Sequence, residues 1–171
     1  MKITLICGVI GSGKDYIANN IQVPIYYKFK FAKILRSMAD NVAGSTLYED
    51  WKKEPKNRLF LQKMGDLLKE IYGVNFFAQH ISRAIKSWVD YENSDMQHFV
   101  ISDFRFPYEY ETIKKDFPNA NIGIYLTDYR SERYDENNDH CSEKMAQKLL
   151  RSGIPTNQLI DNLTFEKYLY A

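Results

Sequence analysis

The chain has 171 residues, of which 44% are hydrophobic and 26% are charged, and 23 lysines and arginines nearly balance 22 aspartates and glutamates. This length suits one compact domain with a sizeable core, and the composition is that of an ordinary globular protein. The net charge of +1 excludes a globally basic surface for nucleic acid, so an anionic ligand has to be bound by a local cluster of cations.

The first half of the chain begins with a short apolar run and continues with helical patterns. The β-branched run KITLIC ends at Gly8 and predicts a buried strand. A helical pattern follows the next glycines, PIYYKF predicts a short second strand, and FAKILRSMADNVA predicts a helix. Pro55 begins the next predicted helix, and Asn75 caps a further one whose apolar face reaches Trp88.

The second half of the chain alternates strands with helices. HFVIS predicts a buried strand, and DFRFPYEYETIKK predicts a loop that runs into a helix with Pro107 near its start. ANIGIYL predicts a strand, CSEKMAQKLLRSG a helix ending at Gly153, NQLIDN a last short strand and TFEKYLY a terminal helical turn. This order predicts an α/β fold, a parallel sheet with helices on both faces, in which ligands bind at the carboxyl ends of strands.

The segment GVIGSGKD, residues 8–15, lies at the end of the first predicted strand. It fits the phosphate-binding P-loop pattern G-x-x-x-x-G-K-[ST] except at the last position, where Asp15 replaces a hydroxyl residue. The alternative is a glycine-rich strand-to-helix turn, but the strand before it and the helix after it favour phosphate binding. The predicted nucleotide-binding residues are Gly8, Gly11, Ser12, Gly13, Lys14, Asp15 and Tyr16.

Asp15 has two interpretations. A carboxylate in the first turn of a helix is favoured by the helix dipole, which explains a purely structural aspartate. Alternatively, Mg²⁺ between Asp15 and a triphosphate reverses the sign of their interaction, because a hard dication prefers oxygen ligands.

A second cluster, ISDFRFPYEYE, follows the strand HFVIS. Asp103 takes the place of a carboxylate that holds Mg²⁺ or accepts a proton, and the planar guanidinium of Arg105 can grip a phosphate. The alternative is an Asp–Arg ion pair that ties the loop down.

A third cluster lies in the polar segment of about residues 127–140, which we interpret as a lid. Arg130 and Arg133 are its candidate phosphate-binding cations, and the alternative is a solvated surface loop. His140, Ser142 and Glu143 carry weaker signals.

The blocks GVIGSGKDYIA, KFKFAKILRSMA, RLFLQKMGDLLKEIYGVNFFAQ, VISDFRFPYEYETIK, HCSE and QLIDN occur in this order along the chain. Together they resemble the phage deoxynucleoside monophosphate kinases, whose P-loop reads SGKD. Arg36 stands where that family commonly has Lys, and Lys69 stands where it usually has Arg.

The resemblance implies a P-loop kinase fold over residues 1–171 and transfer of the γ-phosphoryl group of ATP to a deoxynucleoside monophosphate, with Mg²⁺. The implied catalytic residues are Lys14, Asp103, Arg105, Arg130 and Arg133. The implied substrate-binding residues are Arg36, Arg58, Gln62 and Arg105, and the implied metal ligands are Asp15 and Asp103.

Three alternatives stay open. Animal-type phosphomevalonate kinases share the SGKD loop, the Asp-x-Arg block and a Ser-Glu element near the end. A dephospho-coenzyme A kinase is more distant because its loop keeps Ser or Thr, and a non-catalytic ATP-binding protein has no need of Lys14, Asp103 and Arg105 together. The accepted base is not fixed by the sequence.

The expected cellular location of the protein rests on targeting and membrane signals that the sequence does not contain. The N-terminal apolar stretch is too short for a signal peptide, no run approaches the length of a membrane span, and Cys7 and Cys141 have no metal-ligand or disulfide spacing. We expect a cytoplasmic protein, in the host cytoplasm if it is phage-encoded, with small nucleotides and neither nucleic acid nor membrane as partners. The oligomeric state is not fixed, which leaves a homodimer open.

Overall fold

The computed structural model describes residues 1–21, 26–43, 54–92, 97–132 and 140–170. The strands in these ranges are β1 (Lys2–Cys7), β2 (Tyr27–Phe29), β3 (His98–Phe104), β4 (Asn121–Leu126) and β5 (Leu159–Asp161). The helices are α1 (Lys14–Asn19), α2 (Lys33–Ala43), α3 (Pro55–Tyr72), α4 (Phe76–Glu92), α5 (Pro107–Asp116), α6 (Cys141–Arg151) and α7 (Asn162–Leu169). Every predicted strand and helix has a counterpart here, although the first residues of the run PIYYKF lie outside the described ranges.

The strands form one mixed sheet in the order β2-β3-β1-β4-β5. The first four are parallel, as predicted, but β5 pairs with β4 in the antiparallel direction. The reason lies at Asn157, whose N–H donates to the carbonyl of Leu126 at 2.6 Å. Because Leu126 ends β4, the chain enters β5 beside the carboxyl end of β4 and has to run back along it.

The strand order creates a crevice at one edge of the sheet. The chain leaves β1 and passes β3 to reach β2, then leaves β3 and passes β1 to reach β4. The carboxyl ends of β1 and β3 are therefore neighbours whose connections depart in opposite directions, the arrangement at which α/β sheets bind ligands. Cys7 pairs with Phe104 at this edge.

Alternate strand residues contribute to two separate cores. On one face, Leu5 and Ile101 are fully buried in a cluster that includes Ile81 of α4 and Tyr110 of α5. On the other face, Ile6 packs with Val100 of β3 and Ala18 of α1. This two-residue alternation confirms that helices cover both faces of the sheet.

Local chemistry explains where several helices begin. Pro55 and Pro107 occupy the first turns of α3 and α5, where a missing N–H costs nothing. His140 precedes α6 and its ring accepts from the Ser142 N–H, while Asp161 accepts from the Thr164 N–H at the start of α7. Within the described ranges, no helix combines the length and the apolar character needed to cross a bilayer.

Candidate active site

The loop after β1 turns so tightly that its first position has no room for a side chain. A Cβ on Gly8 would lie 2.4 Å from Ser12 Oγ and 2.6 Å from Thr127 Cγ2. Gly11 and Gly13 both have a φ of 74°, which favours glycine, and the Thr127 hydroxyl donates to the Ser12 carbonyl at 3.1 Å. The loop therefore has the glycine-dependent shape in which successive N–H groups can face an anion.

Lys14 lies over its own loop. Its Nζ donates to the carbonyls of Gly8 at 2.8 Å and Val9 at 2.7 Å. Burial is the main cause that lowers the pKa of Lys14 to about 8, and the positive charge of Arg105 is the second. The ammonium is therefore partly buried, where an anion arriving at the loop would stabilise its charge.

Asp15 is held from two sides. The Ser102 hydroxyl of β3 donates to Oδ1 at 2.9 Å, and the Lys30 ammonium lies 2.8 Å from each carboxylate oxygen. Burial alone would raise the pKa of Asp15, but the hydrogen bond and charge of Lys30, together with Ser102, bring it below its usual range. Asp15 is thus ionised and exposed, with the Lys30 ammonium as its main partner.

Asp103 ties the end of β3 to the chain before α2. Its Oδ1 accepts from the Phe31 N–H at 2.7 Å and its Oδ2 from the Ala32 N–H at 3.0 Å. Burial raises the pKa of Asp103, against the lowering effect of these two N–H groups and of nearby cations. Since both oxygens already have donors, Asp103 fixes the position of α2 whatever else it contacts.

Arg105 is fixed at both its backbone and its side chain. The carboxylate of Glu109 accepts from the backbone N–H groups of Arg105 and Phe106 at 2.8 and 3.0 Å. Arg105 Nη1 lies 2.9 Å from Oε1 of Glu143, and both side chains are largely buried. The other Glu143 oxygen accepts from the Ile10 N–H of the glycine loop at 2.9 Å.

A cavity of about 280 Å³ opens between the end of β3, α2 and α3; we call it the Arg58 cavity. Three of the predicted substrate-binding residues, Arg58, Gln62 and Arg105, line it together with Asp103. Its remaining walls are formed by Phe31, Ala32, Leu35, Leu61, Gly65, Asp66, Lys69, Phe77, Phe106, Tyr108, Glu109, His140 and Ser142.

The walls of the Arg58 cavity combine cations with aromatic rings. Phe106 and Tyr108 stack with their centroids 5.0 Å apart and their planes 8° apart. Lys69 lies 5.4 Å from the centroid of Phe106, within the range of a cation–π contact. Such walls suit a ligand that has a flat ring at one end and an anionic group at the other.

Three potential metal ligands lie at the rim of this cavity. Ligand atoms of Asp66, His140 and Cys141 lie within 4.8 Å of one another. The Lys69 ammonium, however, is 2.8 Å from Asp66 Oδ1 and 4.0 Å from Cys141 Sγ. A cation already occupies this cluster, so its charge balance does not call for a metal.

A second cavity, of about 290 Å³, borders the glycine loop at Val9; we call it the Arg130 cavity. Val9 forms one wall, and Arg130, one of the two predicted lid cations, forms another. It shares no lining residue with the Arg58 cavity. Arg133, the other predicted lid cation, lies outside the described residues, as do residues 133–139 of the predicted lid.

Arg36 and Tyr16 lie away from both cavities, and of the glycine loop only Val9 lines one of them. Arg36 is exposed on α2 and is not among the residues that line the Arg58 cavity. Tyr16 is 72% exposed and lines a cavity with Lys2 and His98, the first residues of β1 and β3, at the opposite edge of the sheet.

The sequence interpretation missed several residues of the site. Lys30, Ser102 and Glu109 were not singled out, and Glu143 was given little weight. Ser102 carried a usable signal: it precedes Asp103 in a strand, so alternation directs it to the face covered by α1, where Asp15 lies.

Comparison with protein-family models gives no match for this chain. Comparison with curated proteins likewise gives no similar sequence.

Proposed function

We propose that this protein is a P-loop kinase that transfers the γ-phosphoryl group of ATP to a deoxynucleoside monophosphate, giving the diphosphate. The observation that carries the proposal is the juxtaposition of the glycine loop and the Arg58 cavity. The loop follows β1, the cavity borders the end of β3, and Glu143 contacts both the Ile10 N–H and Arg105. A phosphate donor and a phosphate-accepting substrate would therefore meet at neighbouring strand ends.

The donor side rests on the loop and the Arg130 cavity. Gly8, Gly11 and Gly13 allow the close backbone approach that a triphosphate needs, and Lys14 supplies a cation within the loop. The Arg130 cavity begins at Val9 and offers room beside the loop for the base and sugar of ATP.

The substrate side rests on the Arg58 cavity. Arg58 and Arg105 are the cations that would bind the monophosphate, and Gln62 offers an amide that can hydrogen-bond a base edge. The stacked pair of Phe106 and Tyr108 favours a nucleobase over the aliphatic substrate of a phosphomevalonate kinase.

The oxygen donors near the loop fit Mg²⁺. Asp15 provides an exposed, ionised carboxylate, and Ser102 places a hydroxyl 2.9 Å from it. Asp103 fits less well, because both its oxygens accept backbone N–H groups. Asp15 and Ser102 would hold the ion in place of Lys30, and the ion would neutralise charge on the triphosphate.

In the reaction, a phosphate oxygen of the monophosphate attacks the γ-phosphorus, the bond from the γ-phosphorus to the bridging oxygen breaks, and ADP leaves. Little covalent chemistry is asked of the protein, so positioning and charge stabilisation dominate. Lys14 would stabilise the charge developing on the donor side, and Arg105 would align the attacking phosphate.

The test is a coupled assay that supplies ATP and Mg²⁺ with each of the four deoxynucleoside monophosphates or with phosphomevalonate. We expect turnover with at least one deoxynucleoside monophosphate and its near loss in Lys14→Met. Lys63→Met, which removes an exposed lysine of α3 outside both cavities, is the matched control and should behave as wild type. Turnover with phosphomevalonate alone would reassign the substrate, and ATP binding without any transfer would indicate a non-catalytic protein.

A further inference from the structure

Glu143 is a charged residue in an unusual place. It lies in the first turn of α6 and is only 6% exposed. A carboxylate is rarely this buried unless its charge and its hydrogen-bonding capacity are both matched. Its partners should therefore explain why it is there.

Those partners come from two different parts of the site. Oε2 accepts a hydrogen bond from the Ile10 N–H in the middle of the glycine loop at 2.9 Å. Oε1 lies 2.9 Å from Nη1 of Arg105, which lines the Arg58 cavity. One side chain thus joins the loop after β1 to the guanidinium beside β3.

The contact with Arg105 fixes the guanidinium without using up its hydrogen bonds. Although Nη1 is close to the carboxylate, its N–H groups do not point at Oε1, and no other described residue gives this buried nitrogen an aligned acceptor. A guanidinium carries five N–H donors in a rigid fork. Glu143 therefore holds the charge of Arg105 in place and leaves donors for a ligand.

We propose that Glu143 is a positioning residue: it sets the guanidinium of Arg105 relative to the glycine loop, so that phosphate donor and monophosphate are aligned for transfer. This inference rests on the proposed function. The proposed role has a measurable effect on affinity, because a carboxylate beside an anion-binding loop opposes anion binding by Coulomb repulsion. Glu143 therefore lowers ground-state affinity while it improves alignment.

A simpler role for Glu143 would be to neutralise Arg105 so that both can be buried. Glu143→Gln separates the two roles, since the amide oxygen can still accept from the Ile10 N–H while the charge that holds Arg105 is lost. A role in alignment lowers kcat and leaves anion binding intact or stronger. A role in stability alone weakens folding and anion binding together.

The first measurement is a cycle of Glu143→Gln, Arg105→Ala and the double variant, with kcat and both KM values determined for each. We expect Glu143→Gln to lower kcat by about 10²-fold, the scale of a 1 Å misplacement, with the KM for ATP unchanged or lower. The double variant should be no slower than Arg105→Ala alone, because Glu143 acts through Arg105. Losses that multiply in the double variant would overturn the inference.

The second measurement is calorimetric binding of tripolyphosphate, which needs no turnover. Glu143→Gln should bind this anion at least as tightly as wild type, and weaker binding would overturn the inference. If the wild type transfers phosphate to no substrate, the proposed function fails. The binding comparison still tests the predicted effect of Glu143 on anion affinity.

The conservative variant Glu143→Asp provides a third comparison and covers the case in which Glu143→Gln does not fold. It keeps the charge but shortens the side chain by one methylene. A lower kcat with unchanged thermal unfolding supports alignment, whereas wild-type kcat contradicts it.

Discussion

The Ser102 hydroxyl of β3 donates a hydrogen bond to the Asp15 carboxylate of α1 at 2.9 Å, and Lys30 pairs with the same carboxylate. The position at which the P-loop pattern asks for a hydroxyl is therefore occupied by a carboxylate that has a hydroxyl next to it. The Lys30 ammonium lies where a divalent cation would compete for the same oxygens.

Asp15→Asn should separate structural from metal-dependent roles. The amide oxygen can still accept from Ser102, and loss of an exposed ion pair costs only about 0–1 kcal/mol, so the fold should persist. We expect metal-free ATP to bind no worse, while most of the Mg²⁺-dependent gain in affinity and most turnover are lost. Titration of ATP with and without Mg²⁺ measures this.

The control for Asp15 is Lys30→Gln, which removes the ion pair but keeps the carboxylate. Its Mg²⁺-dependent gain in ATP affinity should survive. If instead Asp15→Asn keeps the wild-type Mg²⁺ dependence, Asp15 is a helix-start residue and not a metal ligand.

Variants of Arg58 and Arg36 can be compared directly, because both residues were predicted to bind the substrate and only Arg58 lines the Arg58 cavity. Loss of a charge-assisted contact costs about 1.5–3 kcal/mol, which corresponds to roughly a 10- to 100-fold rise in KM. Arg58→Ala should therefore raise the KM for the monophosphate, and Arg36→Ala should change it far less. Steady-state kinetics with ATP saturating decides between them; equal effects would place the substrate phosphate outside the Arg58 cavity.

Glu109 should make stability depend on pH. Burial raises its pKa to about 8, although the Arg105 and Phe106 N–H groups act in the opposite direction. Between about pH 4.5 and 8 the folded state therefore binds more protons at this site than the unfolded state, and its contribution to stability is lost as the pH rises through 8.

Glu109→Gln removes that dependence and keeps an oxygen for the two backbone N–H groups. We expect the Tm of the variant to rise relative to that of the wild type as the pH increases from 5 to 9. The difference should be roughly 2–4 °C for each kcal/mol of stability that the wild type loses. Glu70→Gln, an exposed site on α3, is the control for the loss of one acidic group. A constant difference across the range would mean that Glu109 is ionised in the native protein.

Replacement of Gly8 and of Gly13 by alanine should impair the protein for different physical reasons. At Gly8 the new Cβ lies within 3 Å of three atoms, including the Thr127 carbonyl oxygen, so the loop has to shift and nucleotide binding should be lost. At Gly13 there is open space, and the cost is the strain of a left-handed residue, roughly 1–2 kcal/mol. Thermal unfolding and ATP titration of both variants test this; stronger binding by Gly8→Ala than by Gly13→Ala would contradict it.

The sequence was sufficient for the elements whose burial is continuous or periodic. The strands that contain Leu5 and Ile101 are buried along almost their whole length. In α4, the apolar residues Ile81 and Ile85 are buried in the core. The direction of β5 was not readable, because it has three residues and only Ile160 is buried. Its antiparallel pairing depends on the contact of Asn157 with Leu126, which no local pattern encodes.

For the site, the sequence identified the groups that follow strands but not their partners. Gly8 and Asp103 were predictable because each lies at the carboxyl end of a strand in an α/β pattern. Lys30 reaches Asp15 only because β2 lies beyond β3, and Glu143 reaches Ile10 only through the placement of α6. Such contacts are set by tertiary structure, and composition and spacing do not contain them.

The double contact of Asp103 with the Phe31 and Ala32 N–H groups has a thermodynamic consequence. It anchors the chain entering α2, one wall of the Arg58 cavity, to the interior strand β3. A wall that is already ordered before any ligand arrives loses little conformational entropy when the ligand binds, so more of the contact energy is retained as affinity. Asp103 thereby makes this half of the cavity preorganised, even if it never touches a substrate.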